Sequence, residues 1–248
     1  MNQQSHTSQT LDRGLQILEI LASAPADMTI SEIATTLDVH RTIANRLVTT
    51  LLNRHFLSRS LVGRYRLGTR LVCLAATIGG ELRTIARPIL MALNEETSET
   101  VHLVVLTGTD VLFIDAFESP RALRVASRVG RLLPAHATSV GKALLASLSD
   151  EELKALYPAT RLEKTAPGTI TNRSDLFKQV ELVRRQGYST SFEESEAGVG
   201  SVGVAIVDRN GAARAALSIA APSSRLTPEL PRLIAAAAQS ARQIGEQL

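Results

Sequence analysis

Residues 40–70 read HRTIANRLVTTLLNRHFLSRSLVGRYRLGTR. The stretch carries seven arginines (Arg41, Arg46, Arg54, Arg59, Arg64, Arg66 and Arg70) and no acidic residue. Charge of one sign at that density repels itself and calls for a polyanion. Nucleic acid is the obvious candidate, because a guanidinium grips phosphates and guanine edges with paired hydrogen bonds. The apolar pattern agrees. Ile43, Leu47 and Leu51 recur at helical spacing and predict a helix over 41–53 with those three as its buried stripe. Thr42, Asn45 and Thr49 then point away from the stripe, flanked by Arg41 and Arg46. Asn45 suits adenine, and either arginine suits guanine, across a major groove. Residues 56–60 and 64–67 alternate around Gly63 as a two-stranded hairpin does. Phe56, Tyr65 and Leu67 fall on its core side, and Arg59, Arg64 and Arg66 face outward toward phosphate or minor groove. Two plainer readings stay open here: a solvated basic helix face, and an edge hairpin guarded against aggregation by its charge.

Working back from this stretch, Leu11, Leu15, Leu18 and Leu21, with Ile17 and Ile20, predict a helix over 11–23 that Pro25 stops. Thr29 with Glu32 three residues on is a capping box, opening a short helix over 30–37. Asp38-Val39 makes the turn into the basic helix. Two short helices, a tight turn and a hairpin are the parts of a winged helix–turn–helix.

The chain has 248 residues and a formal net charge of +3. Residues 1–70 hold eight arginines, no lysine and five acids, so the whole excess lies there; the remainder balances 19 basic against 19 acidic residues. That asymmetry predicts a nucleic-acid-binding module joined to a neutral one with another task. Hydrophobic content is 44% and aromatic content 3%, so the core must be aliphatic. Cys73 is the single cysteine, which excludes an intramolecular disulfide and a multi-thiolate zinc site. A polar start over residues 1–10 and the lack of a long apolar run predict a cytoplasmic protein with no membrane segment.

Residues 69–78 are apolar at helical spacing (Leu71, Val72, Leu74, Ala75 and Ile78), Gly79-Gly80 interrupts, and a further helix runs through Pro88 to about residue 96. An exposed linker would be polar. This one has an apolar face that needs a cover, such as the same helix of a second subunit, with Cys73 expected to be buried in it. Beyond residue 98 the pattern predicts strands over 101–106, 111–117, 123–127, 188–192, 202–207 and 213–220, and helices over 139–148, 151–157, 175–186 and 228–247. Antiparallel hairpins with helices before and after make an α+β domain.

The tract Pro134-Ala135-His136-Ala137-Thr138-Ser139-Val140-Gly141-Lys142 leads into a helix that Ser139 would cap, with His136 and Lys142 adding positive charge. Ser191, Ser201 and Ser218 are hydroxyls on or near strands, suited to a small organic acid; strand filler and a solvated lysine are the plainer alternative. Gly198-Val199-Gly200-Ser201-Val202-Gly203 matches a dinucleotide fingerprint, but a strand follows it where a helix is required. Gly141-Lys142 lacks the earlier glycine of a phosphate loop, since that position is His136. No nucleophile elbow and no metal-binding histidine pattern occurs, so neither a cofactor nor catalysis is expected.

The order of these pieces resembles the IclR family of bacterial transcription regulators, over residues 11–245. The motifs are Leu11-Asp12-Arg13-Gly14-Leu15-Gln16-Ile17-Leu18, Arg46-Leu47, Gly63-Arg64-Tyr65-Arg66-Leu67-Gly68, Arg87-Pro88 and Glu99-Thr100-Val101-His102-Leu103. The Pro134-Ala135-His136-Ala137 tract running into Gly141-Lys142-Ala143, then Arg184-Arg185-Gln186-Gly187-Tyr188, Glu194-Ser195-Glu196-Ala197-Gly198 and Ala221-Pro222, complete the set. The resemblance implies a winged helix–turn–helix over 1–68, a helical linker over 69–97 and a GAF-like effector domain over 98–248. It implies a homodimer through the N-terminal part, often paired into a tetramer. It also implies an effector pocket at Ser139, Val140, Ser191, Ser201, Ser218 and Ala220. Ser139 and Val140 stand where the family often has Gly or Ala, Ala220 where some members have a hydroxyl, and Ala205 where proline is common; these departures imply a smaller pocket. The reading is a regulator that sets two recognition helices into a palindromic operator on double-stranded DNA under control of a small organic acid. Its rivals are an enzyme of small acids fused to a basic module, and a ligand-free DNA binder.

Overall fold

The computed structural model describes residues 8–75, 77 and 79–248. The positions of Ala76 and Ile78, and residues 1–7 of the polar start, lie outside it. The chain divides into two compact units, 1–80 and 81–248.

In the first unit, α1 (Gln9–Ser23), α2 (Ile30–Thr36) and α3 (Arg41–Asn53) are followed by β1 (Leu57–Arg59), β2 (Tyr65–Leu67) and α4 (Arg70–Ala75). The capping box forms: the Glu32 N–H donates to the Thr29 hydroxyl (3.3 Å), and the Thr29 N–H donates to the Glu32 carboxylate (2.6 Å). Asp38 takes a left-handed φ of 53°, which lets the chain reverse between α2 and α3. Ile17, Leu21, Ile33, Leu47, Val48, Leu57 and Tyr65 form one aliphatic core. Met28 and Tyr65 exchange both backbone hydrogen bonds (3.0 and 2.7 Å), pinning the hairpin to the residues just ahead of α2. Gly68 lies against the His55 carbonyl, where an added Cβ would sit 2.2 Å from the oxygen, so only glycine fits.

Three expectations for this unit need correction. The buried stripe of α3 is Ala44, Leu47 and Val48, while Ile43 is 39% exposed. Ala44 is small and fully buried, so the helix turns one residue further than a count of large apolar side chains suggests. In the hairpin, Leu57 is buried with Tyr65, whereas Phe56 is only half-buried and Leu67 is exposed. Cys73 is exposed, as are Val72 and Leu74, because nothing in the described chain covers α4.

The second unit has α5 (Gly80–Thr97), β3 (Thr100–Thr107), β4 (Asp110–Phe117) and β5 (Leu132–Pro134). Then come α6 (Ser139–Leu145), α7 (Asp150–Leu156), α8 (Arg173–Gln186), β6 (Ser189–Phe192), β7 (Val199–Val207), β8 (Ala213–Pro222) and α9 (Ser223–Gly245). The strands make a six-stranded sheet in the order β5-β4-β3-β8-β7-β6, antiparallel throughout. Side chains alternate between its faces. Val101, Leu103, Val202, Val204, Leu217 and Ile219 meet α5 and α9 on one side. Val104, Phe113 and Ala216 meet α6, α7 and α8 on the other. The helix expected as the end of a linker is therefore part of this core, through Leu82, Ala86, Leu90 and Leu93.

No strand forms over 123–127. Residues 118–131 run as an irregular strap, and β5 takes the edge of β4 in its place. The strap is tied down by side chains: the Thr100 hydroxyl donates to the Val125 carbonyl (2.6 Å) and accepts from the Ser119 N–H (3.0 Å). Its backbone has partners without a ladder, which removes the drive to pair.

Candidate nucleic-acid interface and ligand face

α3 is placed by its cap. The His40 ring accepts from the Thr42 N–H at Nδ1 (3.3 Å), with the Thr42 hydroxyl 3.0 Å from the same nitrogen. Arg41, Thr42, Asn45, Arg46 and Thr49 are all exposed along one side of the helix, joined by Ile43. Ile43 was assigned to the core because its type and spacing fit a buried position; only the neighbouring alanine shows otherwise. In the wing, Arg59 lies over the Tyr65 ring (5.7 Å) and Arg66 reaches the Ser58 hydroxyl (3.3 Å); both are exposed. Arg64 departs from the outward orientation expected of it. Its Nε donates to the Asp27 carbonyl (2.7 Å) and its Nη2 to the Glu32 carboxylate (3.1 Å). It braces the wing against α2. The Thr29 backbone and hydroxyl, then Arg64, hold the Glu32 carboxyl below the usual carboxylate range.

In the second unit, the strand register gathers the six expected effector residues onto the α6 side of the sheet. Ser191 pairs with Ser201, and Ser201 with Ala220, in one cross-strand row. In the next row Ser189 pairs with Gly203, Gly203 with Ser218, and Ser218 with His102. The first turn of α6 rests on Gly203, where an added Cβ would stand 2.5 Å from the Ser139 carbonyl carbon. That close approach brings the Ser139 hydroxyl within 2.7 Å of the Ser201 hydroxyl. Thr138, not Ser139, caps α6, accepting from the Gly141 N–H (3.0 Å); Ser139 is left to face the sheet. Ser139, Val140, Ser191, Ser218 and Ala220 are all buried. The strap reaches this face at Thr100 and His102. A cavity of about 550 Å³ lies elsewhere, lined by Tyr188, Ala205, Ile234 and Ala238, and by none of the six.

His102 is the residue of this face that spacing alone did not single out. It is 1% exposed, and neither ring nitrogen makes a hydrogen bond of ordinary geometry. Its ring stands edge-on to Phe113 (5.1 Å). Burial, and then the Arg128 guanidinium, push its ionisation down to about 4, with the Ala126 backbone and Glu118 pulling back weakly. His102 is therefore a neutral imidazole with unused hydrogen-bonding capacity, and an unmade buried hydrogen bond costs roughly 1–3 kcal/mol. Arg128, on the strap, donates to Ser195 (3.3 Å) and Glu196 (2.7 Å).

Lys142 is not solvated. It is 1% exposed, and its ammonium donates to both oxygens of Glu194 (2.7 and 2.8 Å). Burial lowers the lysine and raises the glutamate, and each partner opposes the other's shift. His136 is buried with Nε2 2.9 Å from the Glu163 carbonyl. Both residues build the domain, and neither faces the hydroxyl rows as an open charge. The Gly198–Gly203 fingerprint match runs from a turn at Gly198 straight into β7, an antiparallel strand. Among the described residues no group of three or more His, Cys, Asp or Glu is placed to hold a metal ion. No described helix is long and apolar enough to cross a membrane.

Comparison with known proteins agrees with both units. Residues 10–60 match the IclR helix-turn-helix domain, and residues 75–246 match the bacterial transcriptional regulator IclR C-terminal family. The HTH-type transcriptional regulator XynR of Escherichia coli K12 is 32% identical over 221 residues, covering 88% of each chain. The HTH-type transcriptional repressor AllR of the same strain is 31% identical over 225 residues, covering 90% of this chain and 83% of that one. The crystal structure of the Thermotoga maritima IclR superposes with a TM-score of 0.81 at 30% identity, covering 96% of this chain and 98% of that one. An IclR homolog of Microbacterium hydrocarbonoxydans, crystallised with 4-hydroxybenzoate, gives 0.84 at 27% identity, covering 95% and 97%. With a helix–turn–helix that exposes a basic face, followed in sequence by a ligand-binding type of α/β domain, this chain belongs to the IclR family of bacterial transcriptional regulators and is a sequence-specific DNA-binding protein.

Proposed function

We propose that this protein is a cytoplasmic repressor-type regulator whose DNA grip is released or tightened by a small organic acid. Two subunits set α3 into successive major grooves of a palindromic operator. Arg41, Thr42, Asn45, Arg46 and Thr49 read or clamp the groove, and Ile43 offers an apolar contact to thymine methyls. Arg59 and Arg66 take phosphates from the wing, while Arg64 holds the wing at the angle that lets them do so. The observation that carries this reading is the exposure of Arg41, Arg46, Arg59 and Arg66 in a stretch that holds no acidic residue. Val72 and Leu74, exposed on α4, support a homodimer through the N-terminal part, which the C-terminal domains can pair into a tetramer.

The acid sits on the α6 side of the sheet, among Ser139, Val140, Ser191, Ser201, Ser218 and Ala220. Buried hydroxyls in an aliphatic surround suit a small polar head, and a relative has been crystallised with 4-hydroxybenzoate. The ligand acts only by favouring one subunit arrangement over another. The stretch 71–78 carries that preference, with Gly79, at a left-handed φ of 61°, as its hinge.

The test is operator binding by the full chain across a salt series. Arg59→Ala should weaken binding on all sequences and flatten the log K–log salt slope by about one unit. An unchanged slope removes the wing from the phosphate contacts.

A further inference from the structure

We infer that His102, with Ser218 opposite it on the neighbouring strand, is a direct contact for the carboxylate of the effector. The inference rests on the proposed ligand face and adds to it the residue that fixes the ligand's charged end.

The geometry is specific. His102 and Ser218 are register partners on β3 and β8, on the α6 side of the sheet. Directly opposed side chains on antiparallel strands lie about 5 Å apart at Cβ, close enough to hold one small group between them. The imidazole is buried, and neither nitrogen makes a hydrogen bond of ordinary geometry, the Ala126 backbone acting on it from the strap. In contrast, the hydroxyl of Thr100, one row along, is fully engaged with the strap, and that of Ser139 with Ser201. The open hydrogen-bonding capacity of this face therefore falls in one cross-strand row, with His102 and Ser218 at one end and the buried, unpartnered Ser189 hydroxyl at the other. A neutral imidazole offers one N–H, and the serine offers one O–H, which matches the two oxygens of a carboxylate. Arg128 lies close enough to act on His102 electrostatically, and supplies the positive charge a buried carboxylate needs. Glu118, exposed on the strap, Glu196, which Arg128 already binds, and Glu194, paired with Lys142 of α6, are acidic groups on this side. The strap covering His102 has to lift for an acid to reach it, and Arg128 is the latch between strap and the Ser195–Glu196 turn.

Calorimetry on the full chain tests this with acetate, pyruvate, benzoate and 4-hydroxybenzoate as probes, using wild type, His102→Leu, His102→Gln and Ser218→Phe. The expected result is binding of at least one acid by wild type, weakened about ten- to hundredfold in His102→Leu, the size of a lost hydrogen bond to a charged group. His102→Gln, which keeps a donor, should stay within about tenfold of wild type. Without ligand, His102→Leu should melt no lower than wild type, since an unsatisfied buried polar group has been removed. Ser218→Phe should bind nothing. If Ser218→Phe loses binding while His102→Leu keeps it, the ligand face stands and His102 is merely a core residue or water site. If Ser218→Phe binds normally, or wild type takes up none of the four acids, the face itself is misplaced and the inference falls with it.

Discussion

At the scale of single residues, two side chains separate what spacing reveals from what only packing reveals. Asn45 was legible: it lies off the apolar stripe of a helix with clear boundaries, and it is exposed where expected. Replacing it with alanine should cost about 1–3 kcal/mol on the preferred operator and relax one base position. Unaltered preference in an operator selection would remove it from the reading face. His102 was not legible, because nothing near it in sequence says that its ring will be sealed under a strap without a hydrogen bond of ordinary geometry. Its folded-state ionisation near 4 lies below the ordinary 6.5. Between those values the unfolded chain binds the proton and the folded one does not, so acidification destabilises the fold. The second unit should lose about 3 kcal/mol from this group as pH falls from 6.5 to 4, with full stability above 6.5. Denaturant titrations at pH 7 and pH 4.5 should show the loss in wild type and a smaller one in His102→Leu. Equal losses would mean that the imidazole titrates normally.

At the scale of elements, the helices were readable because periodicity and caps agree, as at Thr29–Glu32, and as at Gly187, whose φ of 79° ends α8. The irregular strap was misread as a strand because β-rich composition does not reveal whether a partner edge is free. That depends on β5, which was not recognised as a strand of its own. The buried Lys142–Glu194 pair was hidden for a related reason: its members lie 52 residues apart and meet only through tertiary folding. This pair links α6 to the turn that Arg128 also grips. Lys142→Met should lower the stability of the second unit by about 3–5 kcal/mol, because it strands a buried carboxylate. Adding Glu194→Leu should restore most of that. A single substitution with little effect on thermal unfolding would show that Glu194 escapes to solvent at low cost.

At the scale of the whole molecule, the division of charge was the most dependable signal, since it needs no secondary structure to be read. The boundary between units was less so: α5 looked like linker, yet its apolar side belongs to the core of the second unit. The exposed apolar side chains of α4 bear on the proposed dimer. On the proposed homodimer, Val72→Glu with Leu74→Glu should give a monomer in sedimentation, and weaken operator binding by removing the paired half-site contact. A double variant that sediments like wild type would place the dimer contact on another surface.

The arginines on α3 and the wing have one more consequence. No amine side chain occurs in the first seventy residues, so the arginine face has no lysine for an acyl group to neutralise. Guanidinium also keeps its proton at any pH a cell reaches. Acylation and acidification thus leave the arginine charge unchanged, so any control over DNA binding has to act on how the arginine face is presented rather than on its charge.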